Sequence, residues 1–137
     1  MEKIIFEDLP STKTPLNAEN LNKIQTNVED EFNKIGTIYE QSNNSVNCIA
    51  NTSNNLVSIT LPAGTYIITS GFRYDGTNLR YFHALGNSQI SSYDNAGAVA
   101  SLITYITVLT QQTTITPTLW PSKDVTVTAK TKAIRIK

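Results

Sequence analysis

The sequence predicts a mainly β protein in which a short helical stem precedes an antiparallel β-sandwich head. Three observations carry this. Leu21, Ile24, Val28, Ile35 and Ile38 recur at steps of three, four, seven and three, the period of one helix face. From Leu56 onward, short runs alternate apolar and polar residues, with turn residues every ten positions or so. Charged residues make up only 16% of the chain, against about 25% in an ordinary soluble domain. Thr, Asn and Ser take their place, and these suit exposed strand faces and tight turns rather than long solvated helices.

The charges divide the chain in two. Residues 1–40 hold eight acids and four bases, a balance of −4, and residues 41–137 hold three acids and seven bases, a balance of +4. We therefore expect an extended attachment arm over 1–16, a helical stem over 17–42 and a sandwich head over 43–137. Five of the seven bases of the second part fall between Lys123 and Lys137, alternating with Thr and apolar residues. That pattern reads as the solvated side of strands. A nucleic-acid surface needs a larger basic excess interleaved with aromatic platforms. The 137 residues suit one domain plus an extension.

In the arm, Pro10 and Pro15 resist helix. Ile4, Ile5 and Phe6 are too short a cluster to fold alone and need a surface to dock on. Asn17 can cap the helix, with Glu19 in its first turn. Leu16 and Leu21 have hydrophobic-staple spacing. In heptad terms Leu21, Val28 and Ile35 are a positions and Ile24 and Ile38 are d positions, with Glu31 interrupting the seam. Leu at a with Ile at d leans toward three or four strands. Phe32 widens the apolar face, as in a helix lying on its own domain, and periodicity alone allows either.

Residues 41–55 read as linker and turns around one short strand. Residues 56–61 then alternate, with Val57, Ile59 and Leu61 on one face. Residues 65–72 alternate again, with Tyr66, Ile68 and Phe72 inward. Asp75-Gly76 signals a hairpin joining residues 65–74 to 77–85. Residues 86–97 read as a long polar loop. Residues 99–110 carry Val99, Ile103, Tyr105 and Leu109 on one face and Ala100, Leu102, Ile106 and Val108 on the other. A strand with two apolar faces is covered on both sides, so Leu102, Ile106 and Val108 are assigned, with the helical seam, to a subunit interface. Ile115, Pro117 and Leu119 suggest a short edge strand. Over residues 124–137 the inward parity changes between Ala129 and Ile134, which predicts a bulge near residues 130–132.

The stretch Thr14-Pro15-Leu16-Asn17-Ala18-Glu19-Asn20-Leu21-Asn22 resembles the TPLNAENLN segment near the start of many phage tail-fibre and baseplate proteins. There it marks entry into a helical stem. Leu61-Pro62-Ala63-Gly64-Thr65-Tyr66 and the ending Ala133-Ile134-Arg135-Ile136-Lys137 are similar to strands of trimeric jelly-roll heads of the complement and tumour-necrosis-factor type. Together these resemblances imply a homotrimeric virion protein with a jelly-roll head. It would be made in the host cytoplasm and would join other tail or baseplate proteins through its arm. It would recognise a host-surface glycan or protein, or else serve as a purely structural component.

Glycan recognition needs aromatic faces beside amide, hydroxyl or charged groups held in fixed positions. Arg73, Tyr74, Asp75 and Asn78 around the expected hairpin tip are candidates. So are Tyr93, Asp94 and Asn95 in the expected loop, and Trp120 at a strand end. Each also has an ordinary role, because Asp, Asn and Gly dominate turns for backbone reasons and Trp packs cores. Catalysis is not expected: a glycosidase needs two flanking carboxylates, and the β region offers only Asp75, Asp94 and Asp124. No cofactor or metal motif is present. His83 is the single histidine and reads as a packed residue. Cys48, the single cysteine, reads as a small buried hydrophobe. The opening residues are mixed and charged, unlike a secretory signal. The longest apolar run, near Val99–Leu109, is too short and polar to enter a membrane.

Overall fold

A computed structural model of the chain describes residues 18–94 and 97–137, with the side chain of Asp94 excepted. The expected arm, the Leu16 staple, the Asn17 cap and Asn95 lie outside the described residues. The chain divides into two compact units, residues 1–37 and 38–137.

In the first unit a helix, α1, spans Ala18–Lys34. Glu19 in the first turn and Lys34 in the last complement the helix dipole. Lys23 pairs with Glu19 at 3.7 Å and Lys34 with Glu31 at 2.6 Å, both on solvated faces. Such pairs are worth only about 0.2–1 kcal/mol each. No residue of the helix is buried; Ile24 is half-covered, and Leu21, Val28 and Phe32 are exposed. The helix stops earlier than expected. The Ile35 amide donates to the Phe32 carbonyl at 3.1 Å, and Gly36 adopts φ +84°, a left-handed stop that favours glycine. Ile35 therefore lies in the turn, and Ile38 opens a strand instead of filling a d position. The stem does not reach residue 42, and the second unit begins at Ile38 rather than at 43.

The second unit contains β1 (Ile38–Cys48), β2 (Asn54–Asn55), β3 (Ile59–Leu61), β4 (Gly64–Tyr74), β5 (Leu79–Leu85), β6 (Ser88–Asp94), β7 (Val99–Leu109), β8 (Thr113–Ile115), β9 (Thr118–Pro121) and β10 (Val125–Arg135). One four-stranded sheet runs β1-β10-β4-β7 and another β2-β9-β5-β6, with a small β3-β8 ladder besides. All pairings are antiparallel. We call the first the 1-10-4-7 sheet and the second the 2-9-5-6 sheet.

Five sequence expectations change here. The polar stretch after the helix is not linker: β1 pairs with β10 at nine of its eleven residues, with one irregularity between Asn43 and Val46. Asp75-Gly76 is not a hairpin, since β4 pairs with β10 and β7 while β5 pairs with β6 and β9. That turn carries the chain from one sheet to the other, and its positive φ falls on Asn78. The expected loop after Leu85 contains the hairpin instead. Leu85 pairs with Ser88 across Gly86-Asn87, and Gly86 has φ +57°. Finally, β10 stays regular opposite β4 with no bulge at 130–132. Thr131 and Ala133 continue the buried parity, which leaves Ile134 on the outer face. Pro117 also separates β8 from β9, which pair with different partners.

The core lies between the two large sheets and has two apolar clusters. One is built on Cys48, Leu56, Phe72, Leu79, Tyr81, Val99, Leu119, Val125, Val127 and Ala129. The other is built on Ile59, Leu61, Tyr66, Ile68, Leu85, Ile103 and Ala133. Between them sits a fully buried polar layer: Ser70, His83 and Thr131. His83 on β5 crosses the core. Its Nε2 lies 3.1 Å from Ser70 Oγ on β4, and its Nδ1 lies 2.8 Å from Ser101 Oγ on β7. Thr131, paired directly opposite Ser70, donates to the Val57 carbonyl at 2.6 Å. The Phe72 ring closes on the imidazole edge-on at 5.2 Å. Every polar atom of this layer has a partner, so its desolvation is compensated.

Burial holds the His83 imidazole in its neutral form and lowers its pKa from 6.5 to about 4. The folded state therefore binds fewer protons than the unfolded chain between those values. The head keeps this contribution in full above pH 6.5 and loses it as the pH falls toward 4. The loss should reach about 2.5 kcal/mol by pH 4.5. In thermal melts, His83→Gln, whose amide can donate and accept, should flatten the decline between pH 6.5 and 4.5. Parallel profiles for the two proteins would remove His83 as its cause.

Candidate functional site

Alternation along β5 builds a site on the outer face of the 2-9-5-6 sheet. Leu79, Tyr81, His83 and Leu85 point inward and are buried, so Arg80, Phe82 and Ala84 point outward. Register then sets each beside its neighbours. Arg80 lies opposite Tyr93 of β6, and Phe82 lies between Ser91 of β6 and Trp120 of β9. Ala84 lies between Gln89 and Thr118. The β9 edge is extended by Ser122, whose amide donates to the Arg80 carbonyl at 2.9 Å and whose Oγ accepts from the Arg80 amide at 3.1 Å.

Phe82 and Trp120 meet edge-to-face at 5.4 Å and form a ridge across this face. On one side a groove of about 690 Å³ is lined by Arg80, Tyr93, Ser91, Ser122 and Asn51. On the other a shallower hollow of about 300 Å³ is lined by Ala84, Gln89, Thr118 and Ser53. Phe82 is 42% exposed and Tyr93 52% exposed. The Arg80 guanidinium stacks over the Tyr93 ring at 5.0 Å. Asn51 is held at the groove's end in a positive-φ conformation (54°), its amide donating to the Pro121 carbonyl at 2.8 Å. The arrangement combines aromatic faces, hydroxyls, an amide and a cation on a rigid sheet.

Two of the expected site residues, Tyr93 and Trp120, meet in this groove. Asn78 reaches it indirectly, accepting from Tyr93 Oη at 3.4 Å. Arg73, Tyr74 and Asp75 do not join it. Arg73 and Asp75 pair at 2.6 Å, and Arg73 borders a depression on the other sheet with Leu102 and Lys130. Tyr74 packs partly against the core, with Lys123 over its ring at 5.4 Å. The Asp94 side chain and Asn95 are outside the described residues. Arg80, Phe82, Ser91, Ser122 and Asn51 were not expected. The alternation of residues 79–85 holds the signal for the first two, since an inward Leu79, Tyr81 and Leu85 forces Arg80 and Phe82 out. The Gly86-Asn87 dipeptide holds the signal for the strand that brings Ser91.

The outer face of the 1-10-4-7 sheet has a different chemistry. Ile38, Ile134, Ile67 and Ile106 are register partners in one row across all four strands. Leu102, Ile106 and Val108 on the edge strand β7 are 66%, 65% and 68% exposed. Gly71 makes room for Leu102, since a Cβ at this position would stand only 3.1 Å from Leu102 Cδ1. Among the described residues no group of three His, Cys, Asp or Glu side chains could hold a metal ion. No described helix is long and apolar enough to cross a membrane.

No family model matches the chain, and no curated protein matches it in sequence. Among solved structures, the chain is similar to the vertex protein P5 of phage PRD1 at 11% identity and a TM-score of 0.51. The match covers 75% of this chain and 99% of that one. A structure of disulfide-linked pili, the Bacillus endospore appendages, matches at 13% identity and a TM-score of 0.34, over 74% and 91% of the two chains. The C-terminal CBM6 domain of LamC from Zobellia galactanivorans matches at 11% identity and a TM-score of 0.28, over 72% and 100%. What is shared with the PRD1 protein is the β-sandwich fold.

Trp120 is the only tryptophan, so its fluorescence reports on the ridge. Phe82→Ala removes an edge-to-face pair worth about 0.5–1.5 kcal/mol. It should lower the melting temperature by several degrees and shift Trp120 emission to the red while leaving the fold intact. Unchanged emission would mean the two rings do not form the ridge.

Proposed function

We propose that this chain is a receptor-binding tail-fibre or baseplate protein of a phage or phage-like particle. In this reading it is a non-enzymatic, homotrimeric adhesin whose jelly-roll head binds a host-surface glycan. The observation that carries the reading is the Phe82–Trp120 ridge with its flanking groove of polar side chains. Core packing does not require two half-exposed rings on an outer sheet face. A saccharide has apolar C–H faces for the rings and hydroxyls for the Ser, Asn and Arg groups. The strand orders 1-10-4-7 and 2-9-5-6 support the jelly roll, since strands distant in sequence alternate within each sheet. The TPLNAENLN segment and the fold shared with a phage vertex protein support the virion setting.

The homotrimer is supported by two apolar surfaces. Leu21, Val28, Phe32 and Ile35 leave an exposed stripe on the first unit, and Leu102, Ile106 and Val108 leave an exposed face on the second. Contiguous apolar surface of this kind marks an interaction site. Three linked heads would turn a weak groove into firm attachment through avidity. The arm over residues 1–16 would join the other tail or baseplate proteins. The apolar face would also suit a head that only packs within the particle, and the groove is what separates the two readings.

Particles carrying Phe82→Ala and Trp120→Ala should adsorb to host cells at least tenfold more slowly, with particle assembly unchanged. Normal adsorption would leave the head a structural component. In light scattering, the full chain should give three times the 15.1 kDa protomer mass. Leu102→Asp with Ile106→Asp should reduce that mass, because each change places a charge in an apolar contact. A monomer mass for the unaltered protein would end the trimer reading.

A further inference from the structure

Resting on the attachment reading above, we infer that the groove is built for an anionic saccharide: a sugar whose ring lies on the Phe82–Trp120 ridge while its carboxylate or phosphate meets Arg80. The head's carboxylates are committed away from Arg80 where they are described. Of its four carboxylates, Glu40 pairs with Lys130 at 2.9 Å on the other sheet, and Asp75 pairs with Arg73 at 2.6 Å. Asp124 accepts the Ala50 amide at 2.8 Å. The side chain of the fourth, Asp94, lies outside the described residues. Among the described residues that line the groove there is no acid. Among the described residues, Arg80 makes no ion pair; its guanidinium is held only by stacking on Tyr93.

An arginine held over an aromatic ring keeps N–H groups available for an anion, and a guanidinium can bind carboxylate or phosphate with two parallel hydrogen bonds. Its position suits one sugar unit. Arg80 and Phe82 are two residues apart on one face of β5, about 6.8 Å along the strand. A ring stacked on the ridge can therefore direct a substituent at the guanidinium. Ser91 and Ser122, on the flanking strands, offer hydroxyls to the ring's own hydroxyls. A neutral glycan would use the ridge and the serines but leave the cation unanswered. A plain anion would use Arg80 and leave the rings unanswered.

The test is calorimetric titration of the full-length protein with three probes: an oligogalacturonate, the same oligomer as its methyl ester, and a glycerol-phosphate oligomer. The acidic sugar should bind at least tenfold more tightly than its ester, with affinity falling as salt rises. Arg80→Gln should abolish that preference, and Arg80→Lys should restore part of it. Preference for the ring-less phosphate oligomer over the uronate, equally sensitive to Arg80→Gln, would make the groove a plain anion site and overturn the saccharide assignment. Equal binding of acid and ester, insensitive to Arg80→Gln but lost in Trp120→Ala, would overturn the anionic assignment and leave the attachment reading standing. Absence of binding to any probe, together with normal adsorption of Trp120→Ala particles, would overturn both.

Discussion

The cross-sheet hydrogen bonds of His83 set the parity on which the rest of the head depends. An imidazole with both nitrogens paired inside a core has one place to be, between Ser70 on β4 and Ser101 on β7. A one-residue slip of β5 would turn His83 out and bring Arg80 into the interior, where its charge would be unpaired. Apolar packing alone tolerates alternatives of similar volume, whereas a hydrogen-bonded group distinguishes registers sharply. The outward row of Arg80, Phe82 and Ala84 is the other half of the same constraint. The groove exists because the inward half of β5 is fixed.

The two outer faces follow from strand composition and divide the chemistry between them. On the 1-10-4-7 sheet, long strands rich in β-branched residues leave the row Ile38, Ile134, Ile67 and Ile106 on the outside, flanked by Lys130 and Lys132. A face of that kind is stabilised by being covered. On the 2-9-5-6 sheet, shorter strands present three aromatic rings, an arginine and small hydroxyls. A face of that kind leaves functional groups in reach of a soluble or surface-bound ligand. Opposite sheets of one sandwich can in this way serve assembly and recognition without competing for the same side chains.

Much of this was legible in the chain. The seam starting at Leu21 marked the helix, and the alternation at residues 65–72 and 99–109 marked β4 and β7 with their inward residues. The double-faced character of β7 was likewise readable, and its outer half is exposed as an apolar strip. What escaped was non-local. Asp75-Gly76 announces a turn, but a turn residue cannot say whether the next strand stays in the same sheet. Strands β1 and β6 are polar on their exposed sides and were hidden, because their order comes from ladders to β10 and β5 rather than from their own apolar content. The parity change near Ile134 suggested a bulge only on the assumption that every isoleucine points inward. The site was half legible: Tyr93 and Trp120 stand out as aromatics among polar residues, while their meeting depends on a register that no local pattern encodes.

Hydroxyl-radical footprinting of the full-length protein, alone and with host-surface glycan, tests most directly whether the two faces have these separate duties. The account requires Phe82, Tyr93 and Trp120 to be oxidised readily in the free protein and protected when the glycan is added. It requires Leu102, Ile106 and Val108 to be protected in both conditions by neighbouring copies. Heavy labelling of Leu102 and Ile106 at all times, or glycan protection that falls on residues 73–78 and spares Phe82 and Trp120, would contradict it.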